Sequence, residues 1–337
     1  MNQTAAGPAL SDQPGIPQVL LWAAAGALFL VVQAYVFAAW IMSDHFTASP
    51  VGDDPVPAIS LYGVRFYEVL SIASLVPVLF WFFRGIYRSG QIDNIRLLMI
   101  GFLSTYWLDP WLNFLRPMFT YNAYMFNRGC WCEFIPFWQA PNGRYIAEPL
   151  LVDAPSYFYT FAGTAYTGYV AMKYARKRWP DIGNIGLAFA AACSIWITMG
   201  LLDIFATRVL YFDAWPGAFQ AASFWGGQYY QFPIYEFILF PSVFVVAAFV
   251  LFYAREDGMT VLDHGLDRVA PVTRQGRRTL LRVLAFVAFA NLGNLSYTTA
   301  MGVHALYVDD WPELPSWLAN SQCGTITGIT CPRSITP

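Results

Sequence analysis

Histidine and lysine are almost absent from this chain: three histidines and two lysines stand among 337 residues, and charged side chains make up only 12%. Each shortage excludes a class of chemistry. Membrane di-iron enzymes need several imidazoles and haem bundles need axial histidines inside their helices, yet His45, His264 and His304 all fall outside the apolar runs. A retinal Schiff base requires a lysine within a span, whereas Lys173 and Lys177 sit in or beside a basic segment. No metal site and no cofactor are therefore expected. The formal net charge of −2 gives no reason to expect a nucleic-acid partner.

Apolar residues fill the space that charge leaves empty, with 57% hydrophobic and 18% aromatic side chains. Soluble domains average about 25% charged residues, so the composition is that of an integral membrane protein. Stretches of about 20 apolar residues are long enough to span a bilayer, and the chain reads as an all-α, polytopic transmembrane bundle of about seven spans. These are expected at Val19 to Met42, Phe66 to Phe83, Ile95 to Leu115, Ala154 to Tyr174, Ile185 to Ala206, Phe232 to Tyr253 and Leu280 to Met301. Short cytoplasmic loops collect Lys and Arg. Arg84, Arg88, Arg96, Lys173, Arg176, Lys177, Arg178, Arg255, Arg268, Arg274, Arg277, Arg278 and Arg282 fall in alternate connections, thirteen of the nineteen basic residues. The expected arrangement is an inner-membrane protein with residues 1–18 as a cytoplasmic tail, 19–301 as one transmembrane domain and 302–337 as an extracytoplasmic tail. Residues 1–17 carry no Lys or Arg, which argues against a cleaved signal peptide.

Ionisable residues inside spans are costly and are treated as functional candidates. Asp109, Asp203 and Glu236 lie toward the outer ends of their expected spans, with Glu68 and Asp153 at span edges. In DPWLNFLRP, spacings of four and seven place Asp109, Asn113 and Arg116 on one helical face. Asp203 has two candidate partners, Arg116 and Arg208; Glu68, three residues after Arg65, reads as a local ion pair. Asn294 and Tyr297 add hydrogen-bonding groups in the last span. Two outer segments, 116–152 and 211–231, are dense in aromatic residues, including Tyr121, Trp131 and Trp138 beside Asn122. They are expected to be extracytoplasmic lids over a pocket rather than linkers, the other reading being an aromatic interface belt. Cys130, Cys132, Cys323 and Cys331 all fall on the oxidising side, so at least one disulfide is expected among them.

Burial raises a carboxyl pKa, so one acid can keep its proton while a neighbour stays ionised. Such a group supplies an acid, a base and a counter-charge for a cation, and aromatic faces add cation stabilisation. Dehydrative cyclisation requires those roles. The pattern carried by Tyr121, Asn122, Gly129, Trp131, Ile135, Pro136, Trp138 and Pro141 resembles the avermectin spirocyclase (AveC-like) family of bacterial membrane proteins. That resemblance implies closure of a dihydroxy-ketone polyketide to a spiroketal, with dehydration in the founding member. The expected function is a cofactor-independent acid/base cyclase or dehydratase. Asp109, Asp203 and Glu236 are its catalytic candidates, and Asn113, Arg116, Tyr121, Asn122, Trp131, Trp138, Asn294 and Tyr297 its substrate-binding candidates. Expected partners are an apolar small-molecule or lipid substrate and membrane lipids. The competing reading is a non-catalytic lipid carrier or the partner subunit of a membrane complex.

Overall fold

The computed structural model describes residues 15–307, 310–320 and 322. Long helices dominate: α1 (Gln18–Ile41), α2 (Ala58–Ser89), α3 (Asn94–Leu103), α4 (Phe161–Arg178), α5 (Asn184–Leu210), α6 (Glu236–Phe252) and α7 (Gln275–His304). Each lies where an apolar run placed a span. Four of them, α1, α2, α5 and α7, are long and apolar enough to cross a membrane. The others depart from the expectation of seven for visible reasons. The third run leaves α3 at Leu103 and continues as a 3-10 helix, Tyr106–Asn113, which contains Pro110. α4 carries Lys173, Arg176, Lys177 and Arg178 in its second half. At 17 residues, α6 reaches only about 25 Å at 1.5 Å per residue.

The core is built on α7, which packs against α1 and α3. Gly26 permits the first approach, because a Cβ there would stand 2.0 Å from the Leu284 carbonyl oxygen. Small residues at helix crossings serve this purpose within membranes. Asn291, fully buried on α7, is satisfied: it accepts from Trp107 Nε1 at 2.9 Å and donates to Ser104 Oγ and the Val287 carbonyl at 2.9 Å each.

The two ends of the bundle differ in chemistry. At one end, basic residues clamp helix termini: Arg282 donates to Asp263, Asn94 and the Gly258 carbonyl, and Arg96 lies 3.9 Å over the Trp81 ring. At the other end the two aromatic segments fold onto each other. Strand β1 (Thr120–Tyr121) pairs antiparallel with β2 (Asp213–Ala214), and β3 (Ser223–Phe224) with β4 (Phe232–Pro233). Asn320 ties in the chain beyond α7, donating to the Tyr121 carbonyl at 2.7 Å and accepting from Ala147 N at 2.8 Å. Trp131 is wholly buried there, among Phe37, Trp40 and Tyr106. Cys130 is disulfide-bonded to Cys132; Cys323 and Cys331 lie outside the described residues.

Candidate functional site

A cavity of about 120 Å³ opens where the folded aromatic segments meet the helices. Five carboxylates line it, Asp109, Asp153, Asp203, Asp213 and Glu236, together with four tyrosines, Tyr67, Tyr121, Tyr157 and Tyr297. No lysine, arginine or histidine is among its lining residues. Local backbone irregularity positions several of them. The 3-10 segment presents Asp109, and a π turn at Ser156–Thr160 places Tyr157. Further π turns at Trp196–Gly200 and Ala206–Leu210 bracket Asp203. Single π turns inside helices are frequent at functional sites, because the extra residue redirects side chains.

Asp109 is 6% exposed and accepts two phenolic hydrogen bonds, from Tyr121 at 2.8 Å and from Tyr157 at 2.6 Å. On another part of the wall Glu236 accepts from the Tyr297 hydroxyl at 3.1 Å, while its second oxygen has no partner. Asp203 lines the same space from α5. Asp213 reaches it from β2 and accepts a hydrogen bond from the Thr207 hydroxyl. Burial, with a smaller push from the Asp109 charge, moves the Asp213 carboxyl up to about 7, against the lowering effect of the Thr207 bond. Behind the wall stands Glu148, wholly buried. Burial first, then the neighbouring Asp109 charge, hold its carboxyl well above the usual range.

The structure thus brings Asp109, Asp203, Glu236, Tyr121 and Tyr297 to one cavity. The expected face shared by Asp109, Asn113 and Arg116 does not form. A 3-10 helix has 3.0 residues per turn, so a spacing of four no longer aligns side chains. Asn113 instead accepts from the amides of Met118 and Phe119 and closes the turn after the 3-10 helix. Arg116 is absent from the lining and feels the charge of Asp310. Neither arginine named as a partner for Asp203 lies in the cavity lining; Arg208 stacks over Tyr230 at 4.1 Å. Glu68 does pair locally with Arg65, at 2.7 Å.

The remaining binding candidates also stand elsewhere. Asn122 donates to Ser60 and the Tyr211 carbonyl, Trp131 donates to the Trp107 carbonyl, and Trp138 donates to the Ala140 carbonyl. Asn294 is buried on α7 but does not line the cavity. Sequence reasoning missed Asp213 and Glu148. Both are acidic residues in aromatic, charge-poor segments, and that contrast was the available signal.

The description of the family "Spirocyclase AveC-like" matches residues 90–317, more than half of the chain. The protein therefore belongs to the AveC-like spirocyclase family. All five cavity carboxylates and Glu148 fall within the matched region. No significant match was found among curated proteins or solved structures.

Proposed function

We propose that this protein is an acid/base cyclase that closes an apolar, oxygenated, polyketide- or lipid-like substrate to a spiroketal, with or without a further dehydration. The observation that supports this most directly is the cavity wall itself, with five carboxylates, four tyrosines and no basic side chain. Spiroketal formation from a dihydroxy-ketone begins when one hydroxyl adds to the carbonyl, its proton passing to the carbonyl oxygen. The resulting hemiketal hydroxyl takes a proton and leaves as water, giving an oxocarbenium ion. The second hydroxyl attacks that carbon and releases its proton. One water is lost overall, and each step requires a proton donor, a proton acceptor or a negative environment for the cation.

Roles follow from the hydrogen bonds. Asp109, held by two phenolic donors, is the fixed negative pole facing the cation. Glu236 has an oxygen without a partner and is suited to donate the proton to the departing hydroxyl, with Asp203 receiving the one released. Charge-assisted hydrogen bonds to developing charge in a dry site are worth more than in water. A volume of about 120 Å³ admits the reacting end of a substrate, and the rest of an apolar chain would lie along the helices toward lipid.

A racemic dialkyl dihydroxy-ketone that closes slowly by itself provides the assay, with chiral gas chromatography separating enzymatic from spontaneous product. General acid or base catalysis contributes about 100- to 10,000-fold and one preorganised electrostatic contact about 100- to 1,000-fold, so Asp203→Asn and Asp109→Asn should each lower stereoselective closure by at least about 100-fold while folding as wild type. Near wild-type rates in both variants would make these carboxylates structural and give precedence to a lipid-carrier or partner-subunit role.

A further inference from the structure

The carboxyl groups of Asp109, Glu148 and Asp153 converge at the cavity wall, with one oxygen from each lying within 4.8 Å of the others. All three are buried, Glu148 wholly and Asp153 to 8% exposure. Glu148 Oε2 and Asp153 Oδ2 have no hydrogen-bond partner. None of the three is in a salt bridge among the described residues. Buried carboxylates are ordinarily paired or bound to metal, and three of them without a cationic side chain can stay together only by holding protons or a shared cation. The arrangement is also preorganised: Tyr121 and Tyr157 orient Asp109 from the cavity side, and the Ala147–Asn320 bond fixes the backbone next to Glu148.

We propose that Asp109, Glu148 and Asp153 form a binding site for one divalent metal cation. Three carboxylates and no nitrogen or sulfur ligand suit a hard ion of the magnesium, calcium or manganese type. Cys130 and Cys132 also approach Glu148, but their sulfurs are bonded to each other and provide no thiolate. A divalent ion would leave the triad one net negative charge, so the cavity would keep its negative pole. Because Asp109 and Asp153 line the cavity, an open coordination position would face a bound carbonyl oxygen and polarise it. The site rests on its own geometry, independent of the cyclase reading, and its test reads binding rather than turnover. The ligands come from two segments, Asp109 from the 3-10 helix and Glu148 with Asp153 from a stretch some forty residues later.

The full chain, purified in detergent and stripped with chelator, is titrated with Mn²⁺ while electron paramagnetic resonance reads the free ion. One equivalent should bind. Glu148→Gln and Asp153→Asn should each weaken binding by about tenfold or more, and Asp203→Asn should bind as wild type. Infrared difference spectra of the stripped wild type need no variant: adding Mn²⁺ should remove a protonated-carboxyl band and shift carboxylate bands. The proposal is overturned if the stripped wild type takes up no Mn²⁺. Undiminished binding in both folded variants, or infrared spectra unchanged by Mn²⁺, would equally overturn it, the latter showing a triad neutralised by protons.

Discussion

Asp213 shows at the residue scale how the cavity trades stability for chemistry. Its carboxyl stands at about 7, chiefly through burial, against about 3.9 for an unperturbed aspartate. The folded chain therefore binds this proton more tightly than the unfolded chain does. The sign follows from linkage: the associated stability is present at low pH and is lost as pH rises from about 4 to about 7, then levels off. Asp213→Asn removes the titrating group, so its melting temperature, followed across that window in detergent, should fall less steeply with pH than that of the wild type. Identical slopes would show that Asp213 does not hold its proton in the folded state. Residues of this kind were only partly legible in the sequence. Asp109, Asp203 and Glu236 are conspicuous because each interrupts or borders an apolar run. Asp213 reaches the cavity only through the β1–β2 pairing of segments some ninety residues apart, and Glu148 stands beside Asp109 from about forty residues further along the chain, which no local pattern encodes.

At the scale of elements, hydropathy located the helices well because an apolar run has few other places to go. It failed where backbone chemistry breaks the period. The end of the third run, around Pro110, is a 3-10 helix, so Asn113 and Arg116 leave the direction that a 3.6-residue repeat assigns them. Helix packing depends on equally local features. At Gly26 a methyl group would stand 2.0 Å from the Leu284 carbonyl oxygen, and neither backbone can yield without moving α1 away from α7. Overpacking of this kind costs on the order of 1–3 kcal/mol, so Gly26→Ala should lower the melting temperature in detergent. Gly163→Ala is the matched control, because that glycine lies within α4 with nothing inside 4 Å of the added carbon. It should be neutral or slightly stabilising. A Gly26→Ala protein that melts with the wild type would mean that the two helices do not approach this closely.

For the whole molecule, the contacts at the helix ends define two opposite poles. Val19 N donates to the His264 carbonyl, and Arg282 reaches Asn94, so the start of α1, the start of α3 and the segment before α7 share one pole with most of the arginines. Ser49 meets Asn127, Asn122 meets Tyr211 and Tyr121 meets Asn320 at the other, which carries the cavity, the disulfide and the chain that follows α7. Lys and Arg are retained on the cytoplasmic side of short connections, and disulfides persist in oxidising compartments. Both tendencies point the same way, toward an external cavity pole. The expected outcome can be read in intact cells with a membrane-impermeant maleimide, in a Cys193→Ser, Cys323→Ser, Cys331→Ser background that keeps only the bonded Cys130 and Cys132. Glu313→Cys, at an exposed position beyond α7, should label directly. Gly276→Cys, in open space at the start of that helix, should label only after permeabilisation. The reverse pattern would invert the molecule, place the carboxylate cavity on the cytoplasmic side, and require the Cys130–Cys132 bond to persist against a reducing compartment.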